Sequence, residues 1–171
     1  ALADLGEAGV VHARRGAGVF VARAQTVYPL GRRVRFHQNL SAAGQVPVKR
    51  MLSLETRHAD PREADALKLS QSASVHVCEG LSMADDQPIA VFRSVFPAER
   101  FPRMLDEMAE TPSITAALAA QGVADYTRAS TEITAKPASQ TIAMHLEVKP
   151  GDPILRTVSV NIDLLGVPVE Y

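Results

Sequence analysis

The arginines suggest the first chemistry. Arg14, Arg15 and Arg23 cluster around the stretch VVHARRGAGVFVA, Val10 to Ala22, and Arg32, Arg33 and Arg35 form a second group in GRRVRFHQNL. A guanidinium keeps its charge at any physiological pH and offers paired donors that match a phosphate-type oxyanion. In the first group, Arg14, Arg15 and Gly16 open a tight Arg-Arg-Gly-Ala-Gly centre between two apolar runs. That pattern supports three readings: a phosphate-cradling loop, a plain surface hairpin, or a basic finger touching nucleic acid. A dinucleotide fingerprint needs a third glycine and a following helix, and neither is present. In the second group the residues lead into an expected helix. The free N–H groups of Val34 to His37 and the helix dipole favour an anion there, with a solvated basic turn as the ordinary alternative.

Other chemistry is sparse. The five histidines, His12, His37, His58, His76 and His145, show no i, i+4 ligand spacing, and His76 and Cys78 have no second pair to complete a zinc site. No metal and no cofactor are expected. There is no Gly-x-Ser-x-Gly elbow and no Ser/His/Asp order. Cys78 is the sole cysteine, in an apolar run, and reads as a small core residue. Ser113 fits a helix N-cap. Tyr126, Arg128, Ser130 and Glu132 alternate along one stretch and would share a strand face, lining a pocket or facing solvent.

Composition bounds the rest. The chain has 171 residues, 46% of them hydrophobic, enough for one domain or one domain and a fragment. The formal net charge is −1, so bulk charge does not attract nucleic acid and any such contact needs a local basic patch. One cysteine suits a reducing cytoplasm, and no apolar run reaches membrane-spanning length.

The elements that would position these residues follow from pattern and punctuation. Ala1 to Ala8 read as the end of a helix stopped by Gly9. Val10–Ala13 and Val19–Ala22 read as strands of a tight hairpin. Gln25 to Gly31 is a connection, and a helix from Phe36 to Ala43 ends at Gly44. Strands are expected at Met51–Arg57, Val75–Met83, Ile89–Phe96, Tyr126–Ala135, Ile154–Asp163 and the terminal VPVEY. Helices are expected from Asp60-Pro61 to Leu69, with Asp60 as N-cap, and at Phe101–Met108, Ser113–Ala120 and Ser139–Leu146. Two halves echo each other: Glu55 and Glu132, and Leu69 and Leu146, each stand 77 positions apart. Both halves run strand, short helix, strand, turn, Pro-apolar. The opening helix lacks a start and the closing strand is short, so both ends are expected to be truncated.

ALADLGEAGVVHARRGAGVFVA resembles the end of the recognition helix and the wing of GntR-family bacterial repressors, with Val19 where threonine is usual. YPLGRRVRFHQNL, FPAERFP, SITAALAAQGVADYTRASTEITA and GDPILRTVSVNIDLLGVPVEY resemble the UTRA effector-binding domain of the HutC branch, most of all its phosphonate-utilisation regulators. The resemblance implies an α+β fold: an antiparallel sheet with flanking helices, chorismate-lyase-like, preceded by a remnant of a winged helix–turn–helix. It implies residues 1–24 as that remnant and 25–171 as the UTRA domain. It implies DNA contact by Arg14, Arg15 and Gly16, and effector contact at Val34, Arg35 and Phe36, at Ser113, and at Glu170 in the P-x-E-Y pattern. Ser82 stands where sugar-phosphate sensors carry arginine, and Arg93 on the next strand is expected to supply that charge. Tyr126 and Arg128 complete the candidate set.

The function so implied is effector sensing by a cytoplasmic homodimeric repressor, with operator DNA and a small phosphonate- or phosphate-type anion as partners and no membrane. A relative sensing a sugar phosphate, carboxylate or amino acid is the alternative within the family. A lyase-like enzyme of the same fold is the alternative from another class.

Overall fold

In the computed structural model, residues 2–7, 11–14, 18–21, 40–41 and 44–171 are described. The chain opens with helix α1 (Leu2–Glu7) and a two-stranded antiparallel hairpin of β1 (Val11–Arg14) and β2 (Gly18–Val21), in which Arg14 pairs with Gly18. Leu40 and Ser41 are helical, and Gly44 has a φ of 73° that glycine adopts without strain. The rest of the expected 36–43 helix, and the 25–31 connection, lie outside the described residues.

From residue 47 the elements alternate in two parallel series. The first is β3 (Pro47–His58), α2 (Pro61–Leu67), β4 (Ser74–Ala84) and β5 (Gln87–Pro97). After α3 (Met104–Glu110) and α4 (Ile114–Ala120), the second is β6 (Tyr126–Pro137), α5 (Gln140–Leu146), β7 (Pro153–Asp163) and β8 (Pro168–Glu170). β3 and β6 start at residues 47 and 126, and β4 and β7 at 74 and 153, so the elements repeat every 79 residues. The expected Leu69–Leu146 equivalence is therefore displaced: Leu67, not Leu69, ends α2 as Leu146 ends α5. The bulges in β3 and β6 fall at Leu52 and Ala129, 77 residues apart, the spacing of Glu55 and Glu132.

Each series forms a three-stranded antiparallel sheet, ordered β3-β4-β5 and β6-β7-β8. The two sheets meet where the Val95 N–H donates to Tyr171 O at 2.8 Å and the Tyr171 N–H donates to Val95 O at 3.0 Å. That reciprocal pair makes one antiparallel run, β3-β4-β5-β8-β7-β6.

Around β4 and β5 the sheet is buried on both faces. On one face, Cys78 and Phe96 pack with Phe101, Met104 and Met108 around α3, with Leu118 of α4, and with Tyr126 and Val169. On the other, Val75, Val77 and Val95 pack against Leu67 of α2, with Tyr171 beside them. α2 starts as its sequence dictates. Asp60 Oδ1 accepts from the N–H groups of Arg62 and Glu63, Glu63 Oε2 accepts from the Asp60 N–H, and Pro61 occupies the first turn.

Candidate functional site

A line of polar side chains crosses the join between the two sheets. Ser94 on β5 lies directly opposite Cys78 on β4, so it points to the α3/α4 face. Its Oγ donates to Glu170 Oε1 at 2.7 Å. The other carboxylate oxygen, Oε2, accepts from Asn161 Nδ2 at 2.6 Å. Asn161, buried on β7, turns its Oδ1 to accept from Arg128 Nε at 3.1 Å. Arg128 Nη1 donates to Ser159 Oγ at 2.7 Å. Each amide atom of Asn161 thus has a charged partner, which locks its orientation.

The arginines of the two halves are unequally matched. Arg57 forks onto Glu63, Arg93 also reaches Glu63, and Arg100 binds Asp163. Half-buried Arg128 has no carboxylate within ion-pair distance among the described residues; neutral oxygens of Asn161, Ser159 and Thr131 hold it. A positive charge held by neutral dipoles keeps its attraction for an incoming anion.

A second cation lies on the same face. Lys49 on β3 is paired directly with Ser82 on β4, which in turn faces Ala90 on β5. Lys49 Nζ stands 3.6 Å from the centre of the Phe92 ring. Phe92 crosses β4 at Gly80, where a Cβ would come within 2.8 Å of the ring and 2.5 Å of Arg50 O. Burial pushes the Lys49 amine down to about 8, against the pull of Glu170 and then Cys78. The same burial, followed by Glu170, pushes the Cys78 thiol up to about 12, so it is no nucleophile at neutral pH.

Residues 42–171 match the UTRA domain family. An uncharacterized HTH-type transcriptional regulator of Rhizobium meliloti (strain 1021) is 39% identical over 172 residues, spanning 100% of this chain and 70% of that protein. The chain belongs to the UTRA domain family of transcriptional regulators. PhnF from Mycobacterium smegmatis superposes with a TM-score of 0.77 at 24% identity, over 99% of this chain and 74% of that one. A GntR-family regulator from Enterococcus faecalis V583 gives 0.60 at 27% identity, over 72% and 88%. These relatives regulate transcription and are not enzymes, and the fold is the UTRA arrangement of antiparallel sheets with flanking helices.

Within this UTRA domain the expected site residues separate. Glu170 and Arg128 are brought together through Asn161, and Ser82 lies buried beside Lys49 on the same face. Arg93 is one residue from Ser94 and so points to the opposite face, where it pairs with Glu63 and Glu79. The charge beside Ser82 comes from Lys49 instead. Tyr126 is buried, and its hydroxyl shares a 2.9 Å hydrogen bond with Thr115 Oγ1. Ser113 caps α4, accepting from the Ala116 N–H at 3.3 Å. The bulge at Ala129 breaks the expected Tyr126–Glu132 alternation: Thr131, opposite Ser159, shares the Arg128 face, and Ser130 and Glu132 turn away. Val34, Arg35, Phe36, Arg15 and Gly16 lie outside the described residues, as does the Arg14 side chain.

Lys49, Ser94, Asn161 and Ser159 were not singled out in the sequence. Lys49 could have been found had the strand been started at Pro47, because PVKRM alternates and puts Lys49 on the face of Met51. The others are ordinary strand residues until pairing joins them. Elsewhere, a groove of about 330 Å³ runs between Leu67–Leu69, Pro97–Arg100 and Gly166–Pro168, away from this line. Among the described residues no group of His, Cys, Asp and Glu could hold a metal ion, and no helix is long and apolar enough to cross a membrane.

Proposed function

We propose that this chain is the effector-sensing part of a GntR-type repressor of the HutC branch, and that its effector is a small phosphonate- or phosphate-type anion. One observation carries the reading: Arg128 is a half-buried guanidinium held only by neutral oxygens among the described residues, on a face that Glu170 and Lys49 share. The expected contributions of Val34, Arg35, Phe36 and Ser113 would add donors to the same anion. The hairpin of β1 and β2 would be the wing, with Arg14, Arg15 and Gly16 against operator phosphates. A homodimer would hold two such wings on a two-fold operator in the cytoplasm. The effector acts by binding one arrangement of the dimer better than the other.

Titration calorimetry on this chain tests the anion reading with ethylphosphonate, inorganic phosphate, sulfate and propionate. Ethylphosphonate should bind best. A lost charge-assisted hydrogen bond is worth about 1.5–3 kcal/mol, so Arg128→Ala should weaken it roughly ten- to a hundredfold. Tighter binding of propionate, or unchanged phosphonate binding in Arg128→Ala, would refute the assignment.

A further inference from the structure

We propose that Lys49 is a resident ammonium that neutralises Glu170, so that this site selects an anionic effector without an amino group. The inference rests on the phosphorus-oxyanion reading above and deepens it. Glu170 invites the opposite expectation, because a carboxylate at the end of a pocket suits the ammonium of an aminoalkylphosphonate. Its surroundings remove that invitation. Both carboxylate oxygens already accept strong hydrogen bonds, Oε1 from Ser94 and Oε2 from Asn161. A positive charge is already supplied on the same sheet face by Lys49, whose ammonium Glu170 stabilises.

Lys49 is held in place by a built support. Its Nζ sits over the face of Phe92, where the ring quadrupole favours a cation. The ring can occupy that position only because residue 80 has no Cβ. The strand pairing of Lys49 with Ser82, and of Ser94 with Cys78, puts the amine and the carboxylate's partner on one face of the sheet. Among the described residues, Arg128 and Lys49 against Glu170 leave this line one net positive charge. An oxyanion complements that charge. A ligand that also brought an ammonium would set it against Lys49 in a partly buried space, and like charges there are costly.

Calorimetry with ethylphosphonate and 2-aminoethylphosphonate, near neutral pH where Lys49 keeps its proton, separates the outcomes. The unaltered chain should prefer ethylphosphonate by roughly tenfold or more, the scale of one unfavourable charge contact. Lys49→Met should reverse or abolish that preference, because Glu170 then lacks its internal cation, and Lys49→Arg should retain it. A preference of the unaltered chain for 2-aminoethylphosphonate overturns the inference without need of any variant. So does an unchanged preference in a folded Lys49→Met. Failure of both phosphonates to bind the unaltered chain overturns the anion reading itself, whereas binding of both without discrimination overturns only the inference about Lys49.

Discussion

At the scale of single residues, Lys49 links the site to the stability of the fold. Its ammonium is buried enough to bring its pKa from 10.5 down to about 8. Below pH 8 the amine is charged in both folded and unfolded chains, and its burial opposes folding in full. Between about 8 and 10.5 the folded chain releases the proton first, the unfolded chain binds more protons, and stability rises with pH. Lys49→Met should remove that rise. Urea midpoints of the two proteins at about pH 7.5 and about pH 9.5 should therefore differ by different amounts; a constant difference would show that the amine titrates normally in the fold. Glu170 was reached through the resemblance of the terminal P-x-E-Y pattern, and Arg128 through the alternation along its strand. Asn161 and Ser94 were not, since only register makes them the bridge between those charges.

At the scale of elements, local punctuation was the most legible feature. Asp60-Pro61 announces α2, and the structure shows the full reciprocal cap. What the pattern did not reveal is that Glu63, the third helical residue, also anchors the helix to the sheet. It is 2% exposed and accepts a two-pronged guanidinium from Arg57 at 2.7 Å on each oxygen. The Arg57 hydrogen bonds hold the Glu63 carboxyl below its usual range in spite of burial. Glu63→Ala removes the reciprocal half of the cap and leaves Arg57 only Glu55 and the His58 carbonyl, and should cost roughly 2–4 kcal/mol of stability by chemical denaturation. A loss below about 1 kcal/mol, the scale of an exposed ion pair, would mean that α2 is held by its apolar face alone. Bulges were the least legible feature. The extra residue at Ala129 moved Ser130 and Glu132 to the other face, and nothing in the composition of YTRASTEITA marks which residue is extra.

At the scale of the whole molecule, the half-to-half likeness was visible as an order of elements before any spacing could be trusted. The sheet that joins the halves was not visible, because it depends on two backbone hydrogen bonds at Val95 and Tyr171. The second half also leaves apolar surface uncovered. Thr157 faces Ile133 and Leu155 faces Ala135, so Ile133 and Leu155 share a face; they are 50% and 72% exposed. The proposed homodimer gives this surface an occupant, a second copy, since two reading heads on a two-fold operator must be held together by something other than DNA. Leu155→Asp should then shift the chain toward monomer in sedimentation velocity at micromolar concentration. A unaltered chain that is already monomeric, or a variant that remains fully dimeric, would place the interface elsewhere.

The join between the halves has a mechanical consequence. Glu170 grips Ser94 on one side and Asn161 on the other, so a single carboxylate rivets both halves at the strand that connects them. Because side chains alternate, sliding β8 by one residue along β5 would swing that carboxylate to the α2 face, among Val95 and Leu67. The seam therefore resists a slip of one residue. The proposed effector, bound at Glu170, would act on a carboxylate that is hydrogen-bonded to both halves at once.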